Sequence, residues 1–175
     1  MHDPKQSRRS RIVARIAAGA ALLAALPVVI AARPQPAPSA GPAVVAQVDG
    51  QAVYRQTCVA CHQTTGQGVP GAFPPLAGSE WVNGDKGRLV RIVLHGLTGL
   101  VTVAGEEYEG MMPPWGAALG DPEIAAVATY VRSSWGNKGD AVTAAEVTAI
   151  RQESAGRSGP WTVADLMAAT TAAEK

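Results

Sequence analysis

The pattern of apolar and polar positions along this chain predicts one long apolar segment followed by several helices. The longest apolar run covers residues 16–32 and comes directly after a basic stretch. Residues 89–97 form a shorter apolar stretch with helical character. Residues 121–123, Asp-Pro-Glu, offer an N-cap, a proline in the first helical position and an early acid, and so predict the start of another helix. One face of that helix is apolar and carries Ile124, Val127, Tyr130 and Val131.

Two further helices are predicted near the C-terminus from their capping signals. Thr143 and Glu146 form a capping box, from which a helix would run through about residue 151. Thr162 marks a second start, with Trp161 and Leu166 at the spacing of a hydrophobic staple. We therefore expect residues 137–175 to be a short helical extension that wraps the preceding domain or touches a partner subunit.

The N-terminus has the layout of an export signal or a membrane anchor, over residues 1–33. Basic side chains precede an apolar run of 17 residues, which is long for a cleaved signal and short for a spanning helix of about 20 residues. Cleavage after Ala32 or Ala46 would release a soluble protein, whereas an uncut segment would tether it to the inner membrane through residues 16–32. Residues 34–46 predict a Pro/Ala-rich linker. Either outcome predicts a periplasmic location.

Size and charge favour one exported domain that docks with other proteins. About 130 residues follow the leader, which is enough for one domain and too few for two separate cores. The whole chain has a formal charge of +1, but residues 46–175 hold nine Lys and Arg against thirteen Asp and Glu, a balance of −4. An acidic balance argues against nucleic acid as a partner and against attraction to anionic lipid. We expect a partner with a basic surface.

The two cysteines of the chain stand together in the sequence Cys58-Val59-Ala60-Cys61-His62. The pattern C-x-x-C-H is typical of covalent haem attachment. On one helical turn, residues three apart share a face, so both sulfurs can reach the vinyl groups of one porphyrin. The adjacent His62 would then be an axial ligand of the iron. The motif predicts one covalently attached haem c.

Three other interpretations of the same five residues are weaker. A thioredoxin-like dithiol calls for a preceding strand in a βαβ unit, which the sequence does not suggest. A structural zinc site needs a fourth ligand and usually a second ligand pair downstream, and neither is visible. A disulfide between Cys58 and Cys61 would close too short a loop to stabilise the fold much, and it leaves His62 unexplained.

The second axial ligand is predicted within residues 108–116, where Met111 and Met112 precede two prolines. We favour Met112, because the prolines fix the backbone in an extended loop that presents its thioether to the iron. Met111 is the alternative, and either side chain could instead fill a gap in the core. His95, at the end of the second apolar stretch, is a weaker candidate, because such histidines usually end helices or pack in cores.

These motifs together resemble the class I c-type cytochromes, over residues 47–136. Gly50, Tyr54 and Cys58 fall at four-residue steps as in the first helix of that family, and Val127 and Tyr130 match the residues of its last helix that pack against Gly50 and Tyr54. The resemblance implies an all-α fold whose helices wrap around one covalently attached haem. With Met112 and His62 as iron ligands, both axial positions would be filled, as in electron-transfer cytochromes.

The resemblance also assigns roles to three residues outside the motif. Pro74, twelve residues after His62, matches the proline whose carbonyl accepts a hydrogen bond from the axial histidine, although residues 74–75 alone would indicate only a turn. Trp81 and Trp115 match aromatic residues that line the haem crevice or reach a propionate, although both could simply pack.

The function that this resemblance implies is single-electron transfer between a periplasmic dehydrogenase and a terminal oxidase or reductase, without catalysis by this chain. Residues 130–137, where the resemblance to the family ends, are similar to haem subunits of exported dehydrogenases and reductases. Such a subunit is therefore the alternative function. A haem peroxidase or gas sensor would need an open iron site. The methionine ligand predicted within residues 111–114 argues against an open site. The lysine ring of mitochondrial carriers is missing, and Glu106, Glu107 and Glu109 instead place acid near the methionines, either as a solvated loop or for partner recognition.

Overall fold

A computed structural model describes residues 47–173, with side chains through residue 169. Within this part of the chain, the helices are α1 Gly50–Thr57, α2 Val59–His62, α3 Glu80–Asn83, α4 Lys86–His95, α5 Asp121–Ser133, α6 Ala144–Glu153 and α7 Val163–Ala173. The predicted leader (1–33), its apolar run (16–32) and the linker (34–46) lie outside the described residues. No helix in residues 47–173 has the length and apolar character needed to span a membrane.

The expectation of an all-α fold is met only in part, because α4 and α5 are separated by a β-hairpin. Strand β1, Leu97–Val103, pairs antiparallel with β2, Glu106–Met112. The turn residues Ala104 and Gly105 have φ of 52° and 83°, and two positive φ values give the twist of a tight two-residue hairpin turn. The inward side chains Val101, Val103 and Tyr108 are buried in a small cluster, which explains why the sheet forms.

Helices α1 and α5 cross closely in the way that the family resemblance implied. The rings of Tyr54 and Tyr130 lie 5.5 Å apart between centroids, and Val127 joins Tyr54 in a buried cluster. The three atoms nearest to a Cβ placed at Gly50 belong to the carbonyl of Ala126 and to Tyr130. This crossing connects the helix that leads into the cysteine motif with the helix after the methionines.

Glycine at position 50 is required by this crossing, which gives a stability prediction. A Cβ atom there would collide with the main-chain carbonyl of Ala126, which cannot rotate away. Replacing a helical Gly by Ala normally stabilises by about 0.5–1 kcal/mol, but we expect Gly50→Ala to destabilise the haem-loaded protein by about 3 kcal/mol. Urea unfolding followed by circular dichroism would measure this. Gly156→Ala is the control, because nothing lies within 4 Å of its Cβ position; equal stability of the two variants would contradict the prediction.

The start of α5 differs by one residue from the expectation. Gly120, not Asp121, is the N-cap, and its N–H donates to the Glu123 carboxylate at 2.8 Å. Pro122 is therefore the second helical residue. The Asp121 carboxylate instead accepts bonds from Thr148 and Arg151 of α6, which shows why a cap assignment from residue type alone failed.

The C-terminal helices pack on the rest of the fold. The capping box of Thr143 and Glu146 is confirmed, and α6 extends two residues beyond the expected end, to Glu153. At the second start, the Thr162 hydroxyl accepts from the Asp165 N–H at 3.2 Å. Leu166 and Trp161 are buried together with Ile92 of α4, as a hydrophobic staple would place them. The division of the chain at residue 136 stays a prediction.

Candidate functional site

The cysteine motif lies at the junction of α1 and α2. Cys58 is the C-cap of α1 and the N-cap of α2, and its carbonyl accepts the N–H groups of Cys61 and His62 at 3.2 and 3.0 Å. The motif therefore forms the single helical turn that its spacing predicts. Both thiols are free and half-buried, and they line one cavity together with His62. Burial raises the pKa of the Cys58 thiol, against a smaller opposite effect from its hydrogen bond with the Thr57 hydroxyl.

His62 is held in one ring orientation. Its side chain is 8 % exposed, and Nδ1 donates a hydrogen bond to the Pro74 carbonyl at 3.0 Å, which confirms the predicted bond. Burial lowers the pKa of His62, while the bond to Pro74 opposes that shift. The imidazole is therefore neutral near pH 7, with its proton on Nδ1 and a lone pair on Nε2. This is the form of histidine that ligates a metal.

Two cavities meet at this histidine. The first holds about 810 Å³ of space and the second about 1200 Å³, and in both part of that space is open to solvent. Both are lined by Cys58, His62, Pro74, Met112 and Trp115. The rest of the first cavity is almost entirely apolar, with walls from α3, α4, α5 and the hairpin. A concave, mostly apolar space with a few convergent polar groups is the usual form of a cofactor site.

The hairpin places Met111 and Met112 differently relative to these cavities. Met112 is the last residue of β2, half-buried, and lines both cavities. Met111 lines only the second and is 69 % exposed. Consecutive residues of a strand point to opposite faces. Met112 is on the same face as the buried Tyr108, so of the two methionines it is the one that lines the first cavity. The extended geometry predicted for Met112 is present, but it belongs to a paired strand and not to a free loop.

A pair of glycines leaves the hairpin backbone bare where it borders the second cavity. Gly99 and Gly110 are directly paired in the ladder and both line this cavity. A Cβ atom at either position would meet no atom within 4 Å. The space beside these two residues is therefore open to a planar group that approaches the backbone closely.

The two tryptophans predicted for the crevice both contribute to its walls. Trp81 lines the first cavity, and its indole N–H donates to the Thr102 carbonyl at 2.8 Å, which ties α3 to the hairpin. The Arg88 guanidinium lies 4.6 Å from the centroid of the Trp81 ring. Trp115 lines both cavities.

His95 does not contribute to either cavity. It is the last residue of α4, its Nε2 lies 2.7 Å from the Ser154 hydroxyl, and its ring makes an edge contact with Trp161. Burial lowers the pKa of His95, with smaller effects from Arg157 and Arg151. Among the described residues, no group of three or more His, Cys, Asp and Glu side chains is placed to hold a metal ion, so the zinc interpretation gains no support.

Sequence reasoning missed Asn137, which supports the segment that carries Pro74. Its side chain is buried, accepts from Gly78 N–H at 2.8 Å, and donates to the carbonyls of Leu76 and Val131 at 3.0 and 2.8 Å. These bonds fix the chain two to four residues after Pro74. No local pattern around Asn137 indicated this, because its partners Leu76 and Gly78 lie far away in sequence.

The site fits a haem by the chemistry of its donors. A neutral imidazole and a thioether border the same apolar cavity, and these are the nitrogen and sulfur ligands of low-spin cytochromes. Two free thiols stand one turn apart beside the imidazole. The bare glycine pair lines the second cavity, Trp81 lines the first, and Trp115 lines both.

Known proteins match the same part of the chain. Residues 45–131 match the family described as cytochrome c oxidase, cbb3-type, subunit III. A cytochrome c-552 of Thermus thermophilus is 46 % identical over 101 residues, which cover 55 % of this chain and 67 % of that relative. The cytochrome c subunit of the quinone alcohol dehydrogenase of Gluconacetobacter polyoxogenes is 37 % identical over 113 residues, 63 % of this chain but 24 % of that relative.

A third relative comes from an oxidase. The cbb3-type cytochrome c oxidase subunit CcoP of an Azospirillum species is 35 % identical over 96 residues, 51 % of this chain and 29 % of that subunit. Electron-transfer proteins and subunits are thus the common element among these relatives. The chain belongs to the class I c-type cytochromes, and its function is electron transfer by a c-type haem and not catalysis.

Proposed function

We propose that this chain carries single electrons on one haem c, joined by thioether bonds to Cys58 and Cys61 and ligated by His62 and Met112. The observation that supports this most is the shared cavity, which has the imidazole and the thioether among its lining groups. The bound haem supplies a one-electron change between ferric and ferrous iron.

The protein residues hold and insulate the cofactor. The Pro74 carbonyl keeps the His62 proton on Nδ1, so Nε2 stays available in either oxidation state. The apolar walls from α3, α4 and α5 exclude water from one side of the site. With Met112 as the second ligand, the iron would have no open position for a substrate, which favours a carrier over a peroxidase or gas sensor.

The electron donor is an exported dehydrogenase and the acceptor a terminal oxidase or reductase, on the periplasmic side of the inner membrane. The basic and apolar pattern of residues 1–33 supports export, followed either by cleavage or by a tether through residues 16–32. A second candidate is a haem subunit of an exported dehydrogenase complex, which the name of the alcohol dehydrogenase relative favours. Size-exclusion of a native extract separates the two, because a lone small peak disfavours the subunit.

The full chain, produced in a host that matures c-type cytochromes, tests the proposal. We expect coloured protein whose pigment resists acidified organic solvent, cycles reversibly between two redox states, and binds carbon monoxide slowly when ferrous. Extractable pigment would contradict covalent attachment. Rapid carbon monoxide binding would contradict a filled sixth position and favour the open-iron alternative.

The outward face of the hairpin supports docking with a basic partner. Glu107 and Glu109 are exposed on β2, beside the exposed Leu100 of β1, and Glu109 lines the second cavity. Acidic side chains at the mouth of a redox site attract cations and speed their approach.

This charge gives a prediction for small oxidants. We compare the rates at which two oxidants, a cationic cobalt phenanthroline complex and the anion ferricyanide, oxidise the ferrous protein. The ratio of the cobalt rate to the ferricyanide rate should be higher at low salt than at high salt. The double variant Glu107→Gln/Glu109→Gln should lower that ratio about threefold or more. Asp140→Asn removes an exposed acid that lines neither cavity, and it serves as the control. Stopped-flow kinetics would reject the prediction if both variants changed the ratio equally.

A further inference from the structure

We propose that the C-terminal helices act as a brace that positions Met112 for the iron, with Arg151 as the main positioning residue. The inference rests on the proposed function, because it takes Met112 to be a ligand. It concerns the Met112 segment, defined as residues 112–116, and two contacts around it, one from Arg151 of α6 and one from Trp161 in the connection between α6 and α7.

The Met112 segment has few hydrogen bonds of its own. Pro113 and Pro114 have no N–H group, so the residues directly after Met112 donate no main-chain bond. The segment is attached to α4 only where it ends, by Trp115 N–H to the Val93 carbonyl at 2.9 Å and Gly116 N–H to the Leu94 carbonyl at 3.0 Å. The position of Met112 therefore depends on what holds the two ends of the segment.

Arg151 of α6 holds the far end. Nη1 donates to the Gly116 carbonyl at 2.5 Å and Nη2 to the Leu119 carbonyl at 3.0 Å. Nε donates to Asp121 Oδ1 at 2.7 Å, so one guanidinium spans the whole connection from the segment to the start of α5. A planar group with donors in a fixed fork suits this task, and the compact ammonium of a lysine does not present the same fork.

Trp161 holds the strand that pairs with Met112. Its N–H donates to the Gly96 carbonyl at 3.0 Å, and its carbonyl accepts from Thr98 N–H at 2.8 Å. These two residues flank Leu97, the ladder partner of Met112. A Cβ atom at Gly96 would collide with the Met112 carbonyl, so the two chains are already in close contact. The extension thus fixes Met112 from the β1 side as well.

The consequence of both contacts is a low population of states in which Met112 has left the iron. A methionine thioether is a weak, neutral ligand, so small changes in the freedom of its backbone change how often it dissociates. Residues 144–161 reduce that freedom without contacting the cofactor cavity, because neither Arg151 nor Trp161 lines it.

The test measures carbon monoxide binding to the ferrous, haem-loaded full chain, in which Met112 must leave before the gas can bind. We expect Arg151→Gln to raise the binding rate at least about fivefold, because bonds from a charged donor each contribute a tenfold effect or more. Lys86→Gln is the matched control. It breaks the ion pair with Glu146, which also joins α6 to α4 but touches no residue of the Met112 segment. Its rate should stay within about twofold of the wild type.

Each outcome decides the proposal. Equal rates in Arg151→Gln and Lys86→Gln would overturn it. If Arg151→Gln does not fold, Arg151→Lys carries the test, since it keeps the charge but loses the fork; a rate at least about twofold above wild type is expected, and an unchanged rate overturns the inference. Met112→Ala distinguishes a failure of the proposed function from a failure of the brace. If Met112→Ala leaves the carbon monoxide binding rate unchanged, the ligand assignment is wrong. If Met112→Ala raises the rate and the Arg151 variants do not, only the brace is wrong.

Discussion

Replacing Cys58 and Cys61 together by alanine is expected to abolish covalent haem retention. The two thiols stand one helical turn apart beside His62 and line the same cavity, and within the described residues they are the only groups there that can form thioether bonds. The double variant should release all its pigment into acidified organic solvent, while the wild type releases none. Absorbance of the extracted and retained fractions measures this directly.

Single variants and a neighbouring control sharpen this test. Cys58→Ala and Cys61→Ala should each keep one bond and so retain part of the haem. Ala60→Ser places a hydroxyl between the two cysteines on an exposed position and should retain all of it. Full retention in the double variant would show that the haem is held by another link, and the assignment of both cysteines would be wrong.

The second large effect is expected for Met112→Ala. This change removes the thioether that borders both cavities, so the weak far-red sulfur-to-iron band of the ferric protein should vanish and carbon monoxide should bind rapidly. The reduction potential should fall by about 100 mV or more, because axial ligands set potentials over a range of roughly 0.8 V. Spectroelectrochemical titration gives both the band and the potential.

Met111→Ala is the matched control, since it removes the same side chain from the adjacent residue of the same strand. Its side chain is exposed, so the band and the potential should stay close to those of the wild type. If the band disappears in Met111→Ala and persists in Met112→Ala, the ligand is Met111 and the strand register around the site differs from the one described.

The parts of the site that sequence could predict are those encoded by short spacing. The turn from Cys58 to His62, the capping box at Thr143 and the apolar face of α5 all depend on residues three or four apart, which helical geometry brings together without help from the rest of the fold. The bond from His62 to Pro74 was found differently, through a resemblance that carried a twelve-residue spacing.

The hairpin was missed because its signal is weak. Residues 97–103 contain two β-branched valines and two threonines, but Gly99 interrupts the alternation, and the acidic residues of β2 resemble a solvated loop. Burial of Val101, Val103 and Tyr108 outweighs these local preferences. Met112 lines both cavities for a reason that the prolines alone did not show: its pairing with Leu97 sets its direction, and the prolines follow the end of the strand.

The supporting residues Asn137 and Arg151 could not be found from sequence. Their bonds reach 61 and 35 residues along the chain, to Leu76 and Gly116. Polar residues in a C-terminal segment carry no periodic pattern, and only the folded arrangement shows that their partners are main-chain carbonyls next to the site.

The close crossing of α1 and α5 also governs when the protein can fold. The helices that meet at Gly50 and Ala126 are separated by most of the domain, so their contact forms only after the whole intervening chain has been synthesised and a long loop has closed. Until then, the turn that carries both thiols is not enclosed by its later neighbours. Haem attachment at the two thiols, as proposed above, is therefore least hindered before this last helix contact forms.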